Sequence, residues 1–318
     1  MIPLLLAAAL TAPADLPLQA EAERALPPDT AGALMEIRSG RLLALVGPEQ
    51  LARAAHPPGS IMKLAAALAA LRADLGGREM ECRGSDVHHG VTRSCWLRDG
   101  HGRMGLRRAL AVSCDVYFYR LARLLGPGRL LEAARDLGLG TATGSDVAGE
   151  VPGRLPAALS DEEVPDFAVG RHPGLAATGL QILSLVAAIG NGGTLPTPHL
   201  RGTPAPRGRL SSEAALAEIG RAMRDAVQSG TGAAAADLPL AGKTGTARRA
   251  APGPVPEGRS AAQDPLSEDT LAWFGGYAPD EAPEVAVVVF VPQGLGSRDA
   301  AAAATDLVRA YLARRPGP

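Results

Sequence analysis

Strand-like segments stand at the two ends of this 318-residue chain and helical ones fill the middle, an order that suggests one antiparallel sheet carrying a helical insertion. Near the N-terminus, Ala33 to Val46 reads ALMEIRSGRLLALV, loosely alternating on either side of a Gly-containing turn, which predicts a β-hairpin. Near the C-terminus LAGKTGTARR, TLAWFGGYAP and EVAVVVFVP predict further strands, and DAAAAATDLVRAYLARR closes the chain as an amphipathic helix. Between them SIMKLAAALAALRADLGG, LRRALAV, VYFYRLARLLG, GRLLEAARDLG, GLQILSLVAAIGNGG and SEAALAEIGRAMRDAVQ read as helices. The stretch from about 78 to 103 is irregular, and the aperiodic Pro-, Ala- and charge-rich segment 249–269 reads as a mobile loop between two strands. The fold class is α/β (α+β), with a mainly helical subdomain over approximately 78–225.

A chain of this length buries a sizeable core. Its formal net charge is −1 and aromatics are 3%, with no basic run, so nothing points to a nucleic-acid partner. The N-terminus offers an apolar stretch from Ile2 to Leu10, then small residues at Ala12 and Ala14. That is too short to span a bilayer and reads as an export leader. Residues 1–27 are accordingly expected to be a signal-like leader and tail, with the folded domain at 28–318. The expected location is the periplasm or cell envelope, with no membrane-spanning helix.

Of the 32 Lys+Arg residues only Lys63 and Lys243 are lysine. Arginine stays protonated at any working pH, whereas an amine can be driven neutral and then accept a proton. Ser60 precedes Lys63 by three residues at the start of a predicted helix, so hydroxyl and amine share a face and come within hydrogen-bond reach. The helix N-terminus favours a developing oxyanion. A free lysine near 10.4 would have to fall by roughly three units to serve as a base near neutrality, and burial beside a second cation supplies such a fall. Ser60 is then a nucleophile activated by Lys63.

Ser-x-x-Lys alone is a weak signal. The stretch AGKTGTA strengthens it by putting Lys243, Thr244 and Gly245 on a predicted strand, where Gly245 leaves room for another backbone and the lysine and threonine offer donors to a carboxylate. Lys243 is also the expected second cation beside Lys63. SCDVYFY puts Ser113 at the end of one helix and Asp115 in a loop before the next, both able to point into a cleft. The plainer reading of that pair is helix capping.

In this order Ser-x-x-Lys, Ser-x-Asp and Lys-Thr-Gly resemble the signature of penicillin-binding proteins and serine β-lactamases. The flanking HPPGSIMKLAAALAAL, GHGRMGLRRALAVSCDVYFYRLARLLG, TGLQILSLVAAIGNGGTLPTPHL and AWFGGYAP look like the transpeptidase domain of class B penicillin-binding proteins, elongation-type branch, from about Ala31 to Arg314. The resemblance implies a five-stranded antiparallel sheet flanked by helices. It implies acyl transfer: Ser60 attacks a D-Ala-D-Ala stem peptide, D-alanine leaves, an amine takes the acyl group, and β-lactams trap the serine. It further implies an oxyanion hole from the backbone N–H groups of Ser60 and Thr246, a proton relay through Ser113 and Lys243, and a carboxylate held by Thr244 and Thr246. Catalysis needs no cofactor on this reading, and a glycan polymerase is the implied partner. A D,D-carboxypeptidase, a β-lactamase and a non-catalytic penicillin-recognition or scaffold protein are the alternatives.

The sequence departs from the family pattern in places. Asp115 stands where many relatives have Asn and, unlike Asn, has no amide hydrogen to donate to substrate. VGRHPG supplies Arg171 and His172 where Ile-Gly-Gln-Gly is frequent. No N-terminal pedestal domain or membrane helix is read in the sequence.

Cys82, Cys95 and Cys114 are the only cysteines, and His101 falls among them. A Cys82–Cys95 disulfide leaving Cys114 unpaired, a structural zinc held by Cys82, Cys95, His101 and Cys114, and plain buried thiols are the three readings. Some elongation-type relatives hold a metal at the matching place, so the resemblance favours zinc, with the role of steadying the Ser113 loop. His56, His88, His89, His172 and His199 have no informative spacing. Trp96, Trp273 and Phe274 are expected in the core, and SDEEVPD in a solvated loop.

Overall fold

The computed structural model describes residues 16–249 and 269–314. The expected mobile loop at 249–269 lies almost wholly outside these residues, as do residues 1–15 of the expected leader. Five strands make one antiparallel sheet: β1 (Ala31–Glu36), β2 (Leu42–Val46), β3 (Ala241–Arg248), β4 (Thr270–Ala278) and β5 (Val285–Val291). Their order is β2-β1-β5-β4-β3, so the two ends of the chain meet in the middle of the sheet and β3 forms one edge. Ala31 faces Phe290 across the β1–β5 pair, and Glu36 faces Val285.

The unbroken apolar run of β5 follows from its central place, because both of its faces are buried. Ala286, Val288 and Phe290 join a cluster with Leu64, Ile182, Val186 and Trp273. Val285, Val287 and Val289 join another with Leu34, Phe274, Leu307 and Val308. The second face is covered by α1 (Gln19–Ala25) and by the terminal helix α7 (Ala301–Ala313). Leu18, Ala22 and Leu26 are buried there, so the domain begins before the expected boundary at residue 28.

The first face carries the insertion: α2 (Lys63–Arg72), α3 (Leu106–Ala111), α4 (Asp115–Asp136), α5 (Gly179–Gly190) and α6 (Glu213–Ser229). All of Lys63 to Ala70 is buried, the condition of a helix enclosed on every side. The two helices read from VYFYRLARLLG and GRLLEAARDLG run together as α4 and are separated by a kink at Gly126, φ 74°, before Pro127. A capping box starts α5: Thr178 Oγ1 accepts from Gln181 N at 3.1 Å and Gln181 Oε1 accepts from Thr178 N at 3.0 Å. The segment read as irregular holds two short ribbons, Met80–Cys82 with Gly102–Met104 and Ser85–His88 with Val91–Ser94. No described helix is long and apolar enough to cross a membrane.

Candidate active site

Ser60 lies in a 3-10 turn, Gly59–Met62, that feeds directly into α2. Backbone contacts fix this turn. A Cβ on Gly59, whose φ is +53°, would fall 2.6 Å from Thr246 O; one on Gly245 would fall 2.6 Å from Pro58 O. One on Gly170 would fall 2.0 Å from Gly59 O, and one on Gly296 would fall 2.3 Å from Gly245 O. Only glycine permits such approaches. The room left by Gly245 is thus filled by the chain's own backbone, and Ser60 is brought beside Thr246 on the edge strand β3.

Lys63 opens α2 and is fully buried. Its Nζ donates to Ser113 O at 2.8 Å, Ser113 Oγ at 3.1 Å and Asp115 Oδ1 at 2.6 Å. These bonds tie Lys63 to the Ser113–Asp115 segment.

That segment is shaped by how α3 ends. Ser113 N donates to Leu110 O at 3.2 Å and Cys114 N to Ala109 O at 2.9 Å, the Schellman pattern, with Ser113 at φ 55° in the position that glycine usually fills. A non-glycine residue there costs about 1–2 kcal/mol. The left-handed turn directs the Ser113 side chain inward, while Cys114 caps α4 by accepting from Tyr117 N at 3.4 Å. Asp115 is the first residue of α4 and not, as expected, part of a loop; a negative charge there suits the helix dipole.

Lys243 reaches the same place from β3. It is fully buried, and its Nζ lies 2.9 Å from Ser113 Oγ and 2.9 Å from Thr244 O. Ser113 Oγ therefore bridges two buried amines. Burial, and next the charge of Lys63, hold the Lys243 amine well below the ordinary lysine range. The two lysines are thus neighbours, as the sequence expected.

Asp115 is 2% exposed. Burial works to raise its carboxyl, and Lys63 and Arg171 outweigh it, holding the group below the usual carboxylate range. Both its oxygens are taken, Oδ1 by Lys63 and Oδ2 by Arg171 Nη2 at 2.9 Å, so its bonds run to the protein and not to the open cleft. Arg171 is the site residue to which the sequence assigned no role; a buried acid with a second oxygen to satisfy was the only signal for it.

Ser60, Ser113, Asp115, Arg171, Thr231, Thr244 and Thr246 line a cleft of about 620 Å³. Thr244 Oγ1 lies 2.7 Å from Thr231 Oγ1, and Thr246 Oγ1 accepts from Gly296 N at 3.1 Å. Trp96, expected in the core, is 37% exposed on the cleft wall, with Nε1 donating to Val112 O at 3.1 Å and Ser113 O at 3.2 Å. Trp273 and Phe274 are buried as expected. Of the histidines given no role, His56 stacks on Phe290 at 4.5 Å and His199 Nδ1 meets Thr197 O at 2.9 Å, both structural contacts.

Beside Ser113, the donor atoms of Cys82, Cys95, His101 and Cys114 lie within 4.8 Å of one another. Cys82 Sγ is 3.7 Å and Cys95 Sγ 3.5 Å from His101 Nδ1. All three cysteines are free thiols, so the Cys82–Cys95 disulfide is not formed. The Cys114 thiol hydrogen bonds to Cys95 and lowers it, and Cys95 and burial raise Cys114 in turn. Three sulfurs and one imidazole nitrogen converging at this spacing fit a tetrahedral metal. His101 Nε2 is buried with no partner.

The sequence model described as the penicillin binding protein transpeptidase domain matches residues 30–313. Stage V sporulation protein D of Bacillus subtilis is 29% identical over 261 residues, which are 76% of this chain and 39% of that protein. The peptidoglycan D,D-transpeptidase MrdA of Acinetobacter baumannii is 30% identical over 247 residues, 69% of this chain and 36% of that protein. This chain thus spans under half the length of these curated relatives. Among solved structures, Pseudomonas aeruginosa PBP2 in complex with WCK 5153 superposes with a TM-score of 0.81 at 25% identity, covering 94% of this chain and 78% of that one. A chain from a peptidoglycan synthase complex that coordinates polymerization and crosslinking superposes with a TM-score of 0.79 at 26% identity, covering 96% of this chain and 63% of that one.

Proposed function

Because the chain belongs to the penicillin-binding protein transpeptidase family, whose model covers residues 30–313, we propose that it is a peptidoglycan D,D-transpeptidase. It acts through a Ser60 acyl-enzyme on D-Ala-D-Ala stem peptides and is acylated by β-lactams. The observation that carries this reading is the line Lys63–Ser113–Lys243 next to Ser60, with separations of 3.1 and 2.9 Å about Ser113 Oγ.

That line can move a proton without creating an isolated buried charge. As Ser60 Oγ attacks the penultimate D-Ala carbonyl, the Lys243 amine takes the Ser113 hydroxyl proton, Ser113 takes one from Lys63, and Lys63, thereby freed of a proton, accepts the one from Ser60 Oγ. The depressed basicity of Lys243 suits it to take that proton briefly and return it, through Ser113, to the nitrogen of the departing D-alanine. Asp115 keeps Lys63 in place throughout. The amides of Ser60 and Thr246 hold the carbonyl oxygen as it becomes negative, each donor worth typically about 10²- to 10³-fold in rate. Thr244 and Thr246 receive the substrate's terminal carboxylate. The β3 edge offers main-chain pairing to the peptide.

A structural zinc held by Cys82, Cys95, His101 and Cys114 belongs to the same reading, and when bound it would cross-link the 78–104 segment to the turn carrying Ser113. A glycan polymerase is the proposed partner, and the cell envelope the proposed location.

Labelling with a fluorescent penicillin, comparing wild type with Ser60→Ala, tests the assignment. Label on the wild type alone is expected; equal labelling of both defeats it. Stem pentapeptide with an amine acceptor should then give cross-linked product, whereas D-alanine release without cross-links would make the enzyme a carboxypeptidase.

A further inference from the structure

We infer that Arg171 is a positioning residue for the acylation step: by occupying one oxygen of Asp115 it fixes the other on Lys63. The inference rests on the acyl-transfer reading above and adds a residue to it.

The carboxyl torsion of an aspartate is broad and nearly two-fold, so a single partner leaves its orientation loose. At Asp115 both oxygens are engaged from different elements, Oδ1 by Lys63 Nζ at 2.6 Å and Oδ2 by Arg171 Nη2 at 2.9 Å. Arg171 is itself held, because its Nη1 donates to Tyr119 Oη at 2.6 Å. Tyr119 follows Asp115 by four residues on α4, so one planar guanidinium spans two anchors on a single helix face. The residue before Arg171 is Gly170, whose missing Cβ lets the chain lie against Gly59 O, next to the nucleophile.

A closed circuit results. Ser60 leads through the 3-10 turn to Lys63, Lys63 to Asp115, Asp115 to Arg171, and Arg171 through the preceding Gly170 to Gly59. Loss of Arg171 leaves a buried carboxylate oxygen unsatisfied, and the carboxylate then turns toward another donor and draws Lys63 with it. A lysine at 171 offers one point charge and does not bridge Tyr119 and Asp115 together.

The test is the second-order rate of acylation by a fluorescent penicillin in the full chain, with the melting temperature measured alongside, for Arg171→Gln, Arg171→Lys, Asp115→Asn and the double variant Arg171→Gln/Asp115→Asn. Arg171→Gln should lower the rate about 10- to 100-fold, the size of effect expected for directly coupled neighbours. Arg171→Lys should recover little of it. In the Asp115→Asn background the same Arg171→Gln change should cost under about 3-fold, since no carboxylate remains to be clamped. A purely structural role predicts equal losses in both backgrounds, tracking the melting temperature. A wild-type rate in Arg171→Gln, or equal fold losses with Asp and Asn at 115, overturns the inference. Should Arg171→Gln not fold, Tyr119→Phe removes only the hydroxyl anchor: a several-fold loss that vanishes beside Asp115→Asn supports the inference, and no loss overturns it. A wild type that penicillin does not acylate at all defeats the acyl-transfer reading instead.

Discussion

Lys243 Nζ lies 2.9 Å from Ser113 Oγ and, among the described residues, has no carboxylate as a hydrogen-bond partner, whereas Lys63 shares the same hydroxyl and also holds Asp115 at 2.6 Å. The two buried amines are therefore unlike, one in an ion pair and one bonded to a hydroxyl and a carbonyl.

The first expectation concerns pH. Above its lowered folded-state value and below the ordinary lysine value near 10.4, the unfolded chain carries a proton on Lys243 that the folded site does not. The unfolded state then binds more protons, so the contribution of this group makes stability rise with pH across that window. Urea unfolding at neutral pH and about two units higher should show that Lys243→Met reduces the slope. The same variant should lose about 10²- to 10⁴-fold in acylation, the usual reach of acid–base catalysis. An unchanged pH slope would contradict the placement of this amine.

Lys63→Arg keeps a positive charge but not a transferable proton, and the larger guanidinium has no space in a fully buried position. Acylation should fall by about 10³-fold or more. Stopped-flow trapping with a chromogenic β-lactam measures it, and a loss of less than tenfold would remove Lys63 from the proton route.

Gly59→Ala probes the placement of Ser60. The new methyl would meet Thr246 O at 2.6 Å from a residue already at φ +53°, so destabilisation of about 2 kcal/mol or more is expected, with a larger loss in acylation than in stability. Thermal unfolding and penicillin labelling separate the two. Normal labelling would show that the Ser60–Thr246 approach does not matter.

Purified protein should carry about one zinc per chain and release it to a strong chelator with a fall in melting temperature. Cys82→Ser should do the same while leaving Ser60, Lys63 and Lys243 chemically intact. Metal analysis showing no zinc in protein whose three thiols titrate freely would sink the proposal.

What was legible in the sequence was local. Ser60 and Lys63 stand three apart, Lys243 and Thr244 are adjacent, and the apolar run of β5 announces a strand. What was not legible depends on packing between distant segments. Lys63 and Asp115 are separated by 52 positions, and Arg171 and Asp115 by 56, with no periodicity to join them. The ribbons between Met80 and Met104 are too short and too polar to give an alternating pattern, and the burial of Leu18, Ala22 and Leu26 appears only once α7 lies across them.

At Gly59, Gly170, Gly245 and Gly296 bare peptide units rest on one another around Ser60. An ordinary apolar contact can be retuned by degrees, one methyl group at a time; a contact between main chains admits no such gradation. Selection acting on what the cleft accepts, including pressure to escape an inhibitor, is therefore channelled to the side-chain wall at Trp96 and Arg108. Chemistry and selectivity occupy separate material in this fold, and one can drift while the other stands still.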